Sequence, residues 1–297
     1  MNCPSCFKNS FREIFKPRLD WKFENQPFSY LECQNCGLIV SNPIPTDAQV
    51  KNIYGKLFDY SAYKKVEFLK KLQASHRFFK HKKYFSKGLK SLDVGAGHGY
   101  FVHVLKEAHL DSWGFDVSDN ASLERNQKDK LQYYPKLSDV KETNFDVITM
   151  WHTLEHINDP VSIIGMVKDK LKPGGKLLIG VPNSESVGMK FCKDRWVWTQ
   201  PPFIHVFHFS AKNLTMMLEN NGSNVTEVKT TDTWDAQFID YFAPIRKFKF
   251  TIMKILPKKF AFCFDHGLRL VFTPLSYFLS IFYPTKGSEL FVVAVKK

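Results

Sequence analysis

The chain has 297 residues, 44% of them hydrophobic and 24% charged, which suits a folded protein with a sizeable core and excludes a disordered polar chain. That length implies about two domains, or one large domain with an appendage. The formal charge of +13 calls for an anionic partner, such as nucleic acid, acidic lipid headgroups or a phosphate-bearing small molecule, and does not choose among them.

The opening stretch, MNCPSCFKNSFREIF, lacks an apolar core of signal-peptide length, and no run of 18 apolar residues follows. The expectation is a cytoplasmic protein whose six cysteines are thiols rather than a disulfide framework. Four of them form two pairs, Cys3-Pro-Ser-Cys6 and Cys33-Gln-Asn-Cys36, the second followed by Gly37. A single CxxC could be a redox pair. Two such knuckles can place four thiolates around one ion, the closed tetrahedral shell of structural zinc, with no position left open for a substrate. Cys192 and Cys263 stand alone and read as small buried residues.

Ser41-Asn-Pro-Ile-Pro-Thr46 is a proline-broken linker, and Thr46 with Gln49 fits a capping-box helix start. From 64 to 90 a helical pattern carries Lys64, Lys65, Lys70, Lys71, Arg77, Lys80, Lys82, Lys83, Lys87 and Lys90, with Val66, Leu69, Leu72, Phe78 and Phe79 interleaved. This is either an amphipathic cap with a solvated face or a platform for anionic headgroups. The period then changes. Short apolar runs at 91–94, 113–116, 145–150 and 176–181 alternate with helical segments and predict a parallel α/β sheet, with further strands at 224–230 and 289–295.

Leu92-Asp-Val-Gly-Ala-Gly-His-Gly-Tyr-Phe101 follows a strand and opens a helix, so Gly95, Gly97 and Gly99 permit a tight turn and a close backbone approach to a ligand. Asp93 precedes the first glycine. Asp116 lies 17 residues past Gly99, at the tip of the next strand, where a carboxylate can accept ribose hydroxyls. These residues, with Asn144-Phe-Asp-Val-Ile-Thr-Met-Trp-His-Thr-Leu-Glu-His-Ile157 and the turn Leu171-Lys-Pro-Gly-Gly-Lys176, resemble class I methyltransferases dependent on S-adenosylmethionine (SAM) over about residues 89–231. The resemblance implies a Rossmann-like, seven-stranded α/β sheet. It implies that Gly95, Gly97 and Gly99 line the methionine part of SAM, that Asp93 belongs to the cofactor-binding residues, that Asp116 holds the ribose, and that Trp151 and His152 border the sulfonium. His98 would touch the SAM carboxylate. Asp146 reads instead as a support for its strand end.

After the fifth strand, Trp196-Val-Trp198-Thr-Gln-Pro-Pro202 and His205-Val-Phe-His-Phe-Ser210 resemble a subgroup acting in surface-polysaccharide and sugar-modification pathways. Some sugar C-methyltransferases of that group carry the same four-cysteine module, and a Glu-His pair supplies their general base. The matching histidine is His205, but Ile204 replaces the glutamate. A positioned imidazole can take the acceptor's proton near neutral pH. The candidates are His205 first, then His156 and His152, while His208 and Ser210 are expected to cap the next helix.

Residues 244–285 mix lysines with Phe, Ile and Leu, forming either a helical lid or a surface that touches a membrane. The expected organisation is therefore a zinc ribbon over 1–45, a basic helical cap over 46–90, a SAM-binding core over 91–231, a helical insertion over 232–288 and a final core strand over 289–297. The expected substrate is a small, anionic sugar nucleotide or lipid-linked sugar, with peripheral contact at the inner membrane surface. An RNA methyltransferase gripping its substrate through the ribbon is the alternative. Met150-Trp-His-Thr stands where base-amino methyltransferases carry an Asn/Asp-Pro-Pro-aromatic motif, which disfavours nucleic acid.

Overall fold

The computed structural model describes residues 1–16, 22–23, 26–46, 48–49, 67–117, 132–134, 137–193, 196–199, 204–231, 251–252, 255 and 287–297. At the N-terminus the cysteine ribbon is built from β1 (Phe11–Phe15), which pairs antiparallel with β4 (Ser29–Cys33), and β4 with β5 (Ile39–Asn42); β2 (Lys22–Phe23) and β3 (Gln26–Pro27) form a separate antiparallel pair. Gly37, at φ +79°, closes the second cysteine knuckle, a backbone angle that favours glycine. Far along the chain β11 (Phe207–His208) adds to the open edge of β5, so the sheet runs β1-β4-β5-β11.

Thr46 and Gln49 form the expected reciprocal cap: Thr46 N–H donates to Gln49 Oε1 at 2.7 Å, and Gln49 N–H to Thr46 Oγ1 at 3.4 Å. Among the described residues the basic segment is a helix, α1, over Glu67–Lys80. A 3-10 turn at Lys82–Tyr84 and a left-handed Gly88 (φ +83°) end the helical pattern, and Lys90 already belongs to the next strand. Three of the expected platform cations serve the fold: Lys80 pairs with Glu289, Lys83 with Glu227 and Lys90 with Glu142. Lys64, Lys65 and Val66 lie outside the described residues.

The core follows as β6 (Lys90–Val94), α2 (Tyr100–Glu107), β7 (Asp111–Phe115), β8 (Gln132–Tyr134), β9 (Phe145–Trp151), α3 (Pro160–Lys170), β10 (Leu171–Pro182), α4 (Val187–Cys192), β11, α5 (Ala211–Asn220), β12 (Ser223–Thr231) and β13 (Glu289–Lys296). Apart from β11, these strands form one seven-stranded sheet in the order β12-β13-β10-β9-β6-β7-β8. β6 to β10 are parallel, and β13 runs antiparallel between β10 and β12. This explains the unbroken burial from Leu177 to Pro182, because a strand covered on both faces has no polar side.

Two details differ from the sequence reading. Leu171–Lys176 is a bulge within β10 rather than a turn before it: Leu171 faces Phe145, but Lys176 already faces Val147. Gly174 (φ +74°) makes this possible. Ser210 caps α5 with Asn213 in a reciprocal box, but His208 does not cap it. His208 sits in β11 with its ring packed edge-on against Tyr30 at 5.3 Å, because the ribbon claims that segment first. Asp146 supports its strand as expected, accepting the Lys90 N–H at 2.8 Å. The expected helical insertion lies outside the described residues, apart from 251–252, 255 and 287–288, as do Pro201, Pro202 and Cys263. No helix among the described residues is long and apolar enough to cross a membrane.

Candidate active site

β6 and β9 are neighbours, but the chain leaves β6 toward β7 and leaves β9 toward β10, on the other side. Their carboxyl ends therefore border the crevice in which open α/β sheets bind ligands. The glycine loop fills one side. Gly95, at φ +78°, has no room for a side chain: an added Cβ would fall 2.1 Å from Thr153 Oγ1, just past β9. The N–H groups of Gly95 and Ala96 both donate to Phe115 O, at 2.8 and 2.9 Å, tying the loop to the end of β7. Gly97 (φ +54°) differs, since an added Cβ would meet nothing within 4 Å. Its backbone is open to a ligand, and its N–H donates to Asp116 Oδ2 at 2.7 Å, fixing that carboxylate at the mouth of the loop. Gly99 (φ +70°) starts α2, and His98 lies beside Tyr100.

Asp93 lies beneath the loop, only 3% exposed, and accepts the Thr149 hydroxyl at 2.6 Å. Burial pushes its carboxyl up to about 7, against the opposing pull of that hydrogen bond and of Arg77. Trp151 is buried at the end of β9, stacked on Phe291 at 5.8 Å with an interplanar angle of 9°, and its Nε1 has no hydrogen-bond partner. The Arg77 guanidinium of α1 covers the same ring, 4.9 Å from its centroid. A glycine cradle, a ribose-reach carboxylate and a cation near Asp93 suit the parts of SAM.

Directly after Trp151 in the chain a histidine cluster begins. His152 (φ 49°) is held by its N–H on Gly180 O at 2.8 Å, and its ring stacks on Trp198 at 5.4 Å. Its Nδ1 is 3.4 Å from Glu155 Oε1 and its Nε2 is 3.1 Å from Glu289 Oε2. Burial opposes charge on His152, but the two carboxylates outweigh it and raise its pKa to about 9. Burial likewise opposes charge on Glu289, while His152, Lys80 and Arg77 keep its carboxyl far below the usual range. The 3-10 turn Leu154–His156 carries Glu155, which is 1% exposed. Neither Glu155 oxygen has a hydrogen-bond partner.

His156 Nδ1–H donates to Ile204 O at 2.8 Å, and His205 Nδ1–H donates to Trp198 O at 2.6 Å. The two rings lie 4.6 Å apart. Burial, reinforced by the neighbouring His156 and His208, holds the His205 pKa well below the usual imidazole range. The fold thus brings His152, His156 and His205 together. It adds Glu155, Trp198, Glu289 and Arg77, which the sequence reading did not assign; Arg77 and Glu289 reach the site from opposite ends of the chain.

The four cysteines also converge. Cys3 and Cys36 Sγ are 3.5 Å apart, as are Cys6 and Cys33, and all four sulfurs lie within 4.8 Å of one another. Tetrahedral coordination with metal–sulfur bonds of about 2.3 Å sets sulfurs about 3.8 Å apart, so the group fits a tetrahedral thiophilic ion. The Cys36 hydrogen bond pulls the Cys3 thiol below its usual range, while the Cys3 hydrogen bond and burial push Cys36 up.

The parallel sheet with its reversed seventh strand and the switch-point glycine loop define a class I, SAM-dependent methyltransferase. The chain belongs to the methyltransferase domain family, whose model matches residues 64–228. It is 30% identical over 105 residues to the ubiquinone biosynthesis O-methyltransferase of Methylococcus capsulatus, covering 32% of this chain and 44% of the relative. The corresponding enzyme of Idiomarina loihiensis is 31% identical over 105 residues, covering 32% and 43%. The chain thus matches less than half the length of these curated relatives. Among solved structures, Haemonchus contortus phosphoethanolamine N-methyltransferase 2 superposes with a TM-score of 0.54 at 19% identity, covering 87% of this chain and 62% of that one. A SAM-dependent methyltransferase from Archaeoglobus fulgidus gives 0.50 at 15%, covering 80% and 100%. At such identities the likeness is one of fold.

Proposed function

We propose that the chain methylates a small, anionic acceptor, a sugar or sugar nucleotide, on oxygen or carbon, with zinc in the four-cysteine site as a purely structural ion. The observation that carries this is the cluster of His156, His205, Glu155 and Trp198 beside the cofactor crevice. It offers an imidazole to receive a proton and an aromatic face to seat a sugar ring. SAM supplies an activated methyl group when bound. Gly95, Gly97 and Gly99 would cradle its methionine part, Asp116 would hold the ribose and Arg77 would face the carboxylate. His205 is the assigned proton acceptor, since Nδ1–H is committed to Trp198 O and Nε2 carries the lone pair. His152, cationic between two carboxylates, serves as a fixed charge rather than a base. The net charge of +13 suits an anionic acceptor, including a lipid-linked sugar at a membrane surface. The ubiquinone O-methyltransferase relatives support small-molecule O-methylation.

The test is methyl transfer from labelled SAM to panels of nucleotide-linked sugars and total RNA. Label on a sugar nucleotide, lost in His205→Ala with SAM affinity intact and lost in Asp116→Ala together with SAM affinity, supports the reading. Label on RNA alone, or normal turnover by His205→Ala, overturns the acceptor or the base assignment respectively.

A further inference from the structure

Among the described residues, Glu155 carries a buried carboxylate, 1% exposed, with both oxygens outside any hydrogen bond. A buried carboxylate left this way costs several kcal/mol unless a cation answers it. His152 faces it at 3.4 Å while also facing Glu289 at 3.1 Å, which Lys80 pairs with as well, and His156 Nε2 lies 3.8 Å from the same Glu155 oxygen.

Two further imidazoles converge on Glu155. Ligand atoms of Glu155, His156 and His205 all lie within 4.8 Å of one another. Both rings are oriented in the same manner, with Nδ1–H donated to a backbone carbonyl, Ile204 O at 2.8 Å and Trp198 O at 2.6 Å. That hydrogen bond fixes the tautomer with the lone pair on Nε2, as the outer partners of metal-bound histidines do. The supports are rigid: Val206 N–H donates to Glu155 O at 2.8 Å, and Ser41 Oγ–H to His205 O at 3.0 Å, so ribbon, turn and β11 segment are tied together.

We propose that Glu155, His156 and His205 form a second metal site, distinct from the four-cysteine site, for a divalent first-row transition ion. Two imidazoles and one carboxylate select that class over magnesium or calcium, which prefer oxygen ligands. Bonds of about 2.1 Å would draw the three donor atoms to roughly 3–3.5 Å, a contraction that rotamer adjustment can supply. Three protein ligands leave coordination positions open. The inference does not rest on the proton-acceptor assignment of the preceding reading: an ion on His205 Nε2 would occupy the lone pair that takes the proton in the metal-free protein, so the two roles belong to different states of the site.

The experiment is a titration of the full-length, zinc-loaded protein with Mn²⁺, followed by loss of the free-ion sextet in electron paramagnetic resonance. Mn²⁺ does not compete for a thiolate site, so uptake reports the nitrogen–oxygen site. The expected result is one Mn²⁺ bound per chain below about 1 mM, with affinity reduced at least about tenfold in Glu155→Gln and in His205→Ala. Glu155→Gln is isosteric, and its unchanged SAM affinity by calorimetry would show an intact fold. The surface pair member His103→Ala should leave uptake unchanged. No uptake by the wild type, or uptake equal in wild type and both variants, overturns the site. Methyl transfer that persists in EDTA while Mn²⁺ fails to bind removes this inference and leaves the methyltransferase reading standing.

Discussion

Asp93→Asn separates a buried charge from a hydrogen bond. Asp93 lies under the glycine loop, and burial holds its carboxyl at about 7 rather than its ordinary 3.8. The ionised form is therefore penalised in the folded chain by about 4 kcal/mol, at 1.36 kcal/mol for each pH unit. The sign follows from proton linkage. The folded state keeps this proton over a range in which the unfolded state has lost it, so stability falls as pH rises from about 4 to about 7 and the loss is complete above that. Asparagine has the same shape, carries no charge and can still accept the Thr149 hydroxyl. The variant should match the wild type near pH 4, gain on it through pH 5 and 6, and exceed it by up to about 4 kcal/mol at pH 8. Urea unfolding of both proteins at four pH values measures this. A difference that stays constant from pH 5 to 8, or an asparagine variant less stable at pH 8, would refute the assignment of a strained, buried carboxylate.

Two other perturbations test how the site is held. Gly95→Ala should weaken SAM binding at least about tenfold by calorimetry, because the left-handed backbone costs about 1–2 kcal/mol and the new methyl displaces Thr153. Thr153→Gly in that background should restore part of the loss, and wild-type affinity in Gly95→Ala would remove the loop from the cofactor site. Tyr30→Phe deletes a fully buried donor 2.6 Å from Thr199 O, which should cost about 1–3 kcal/mol in unfolding free energy. It should also lower turnover at unchanged SAM affinity, because Thr199 neighbours Trp198; unaltered stability would show that water replaces the phenol.

What the sequence revealed and what it concealed divide along a physical line. Five of the six longer core strands were legible because each contains an apolar run whose burial is dictated by its own residues, whereas β12, SNVTEVKTT, is largely exposed and shows itself by its β-branched residues. β8, three residues long at the sheet edge, carries no such signal. The cofactor crevice was legible because glycines at φ +54° to +78° and a strand-tip carboxylate sit close in sequence. Glu155 was readable only as a neighbour of His156, since nothing local says that its carboxylate is buried without a hydrogen bond. Arg77 and Glu289 are separated by most of the chain, and only the folding of α1 and β13 over Trp151 brings them to it. The same tertiary preference moved His208 from a helix cap into the ribbon sheet.

That placement bears on what the ribbon does. A free edge on β5 would be the natural place for a partner strand to add. Here β11 occupies it, with Phe207 facing Val40 and His208 facing Ile39. Cys3, Cys33, Cys36, Leu38 and Val40 share one apolar core with Phe207, Phe209, Leu214 and Met217. Two residues before β11, the carbonyl of His205 accepts the Ser41 hydroxyl, and Tyr30 grips Thr199 just past Trp198. The ribbon is therefore the rear wall of the histidine cluster rather than an appendage beside it. Any ion that orders the four thiols also fixes the backbone from which Trp198 and His205 project.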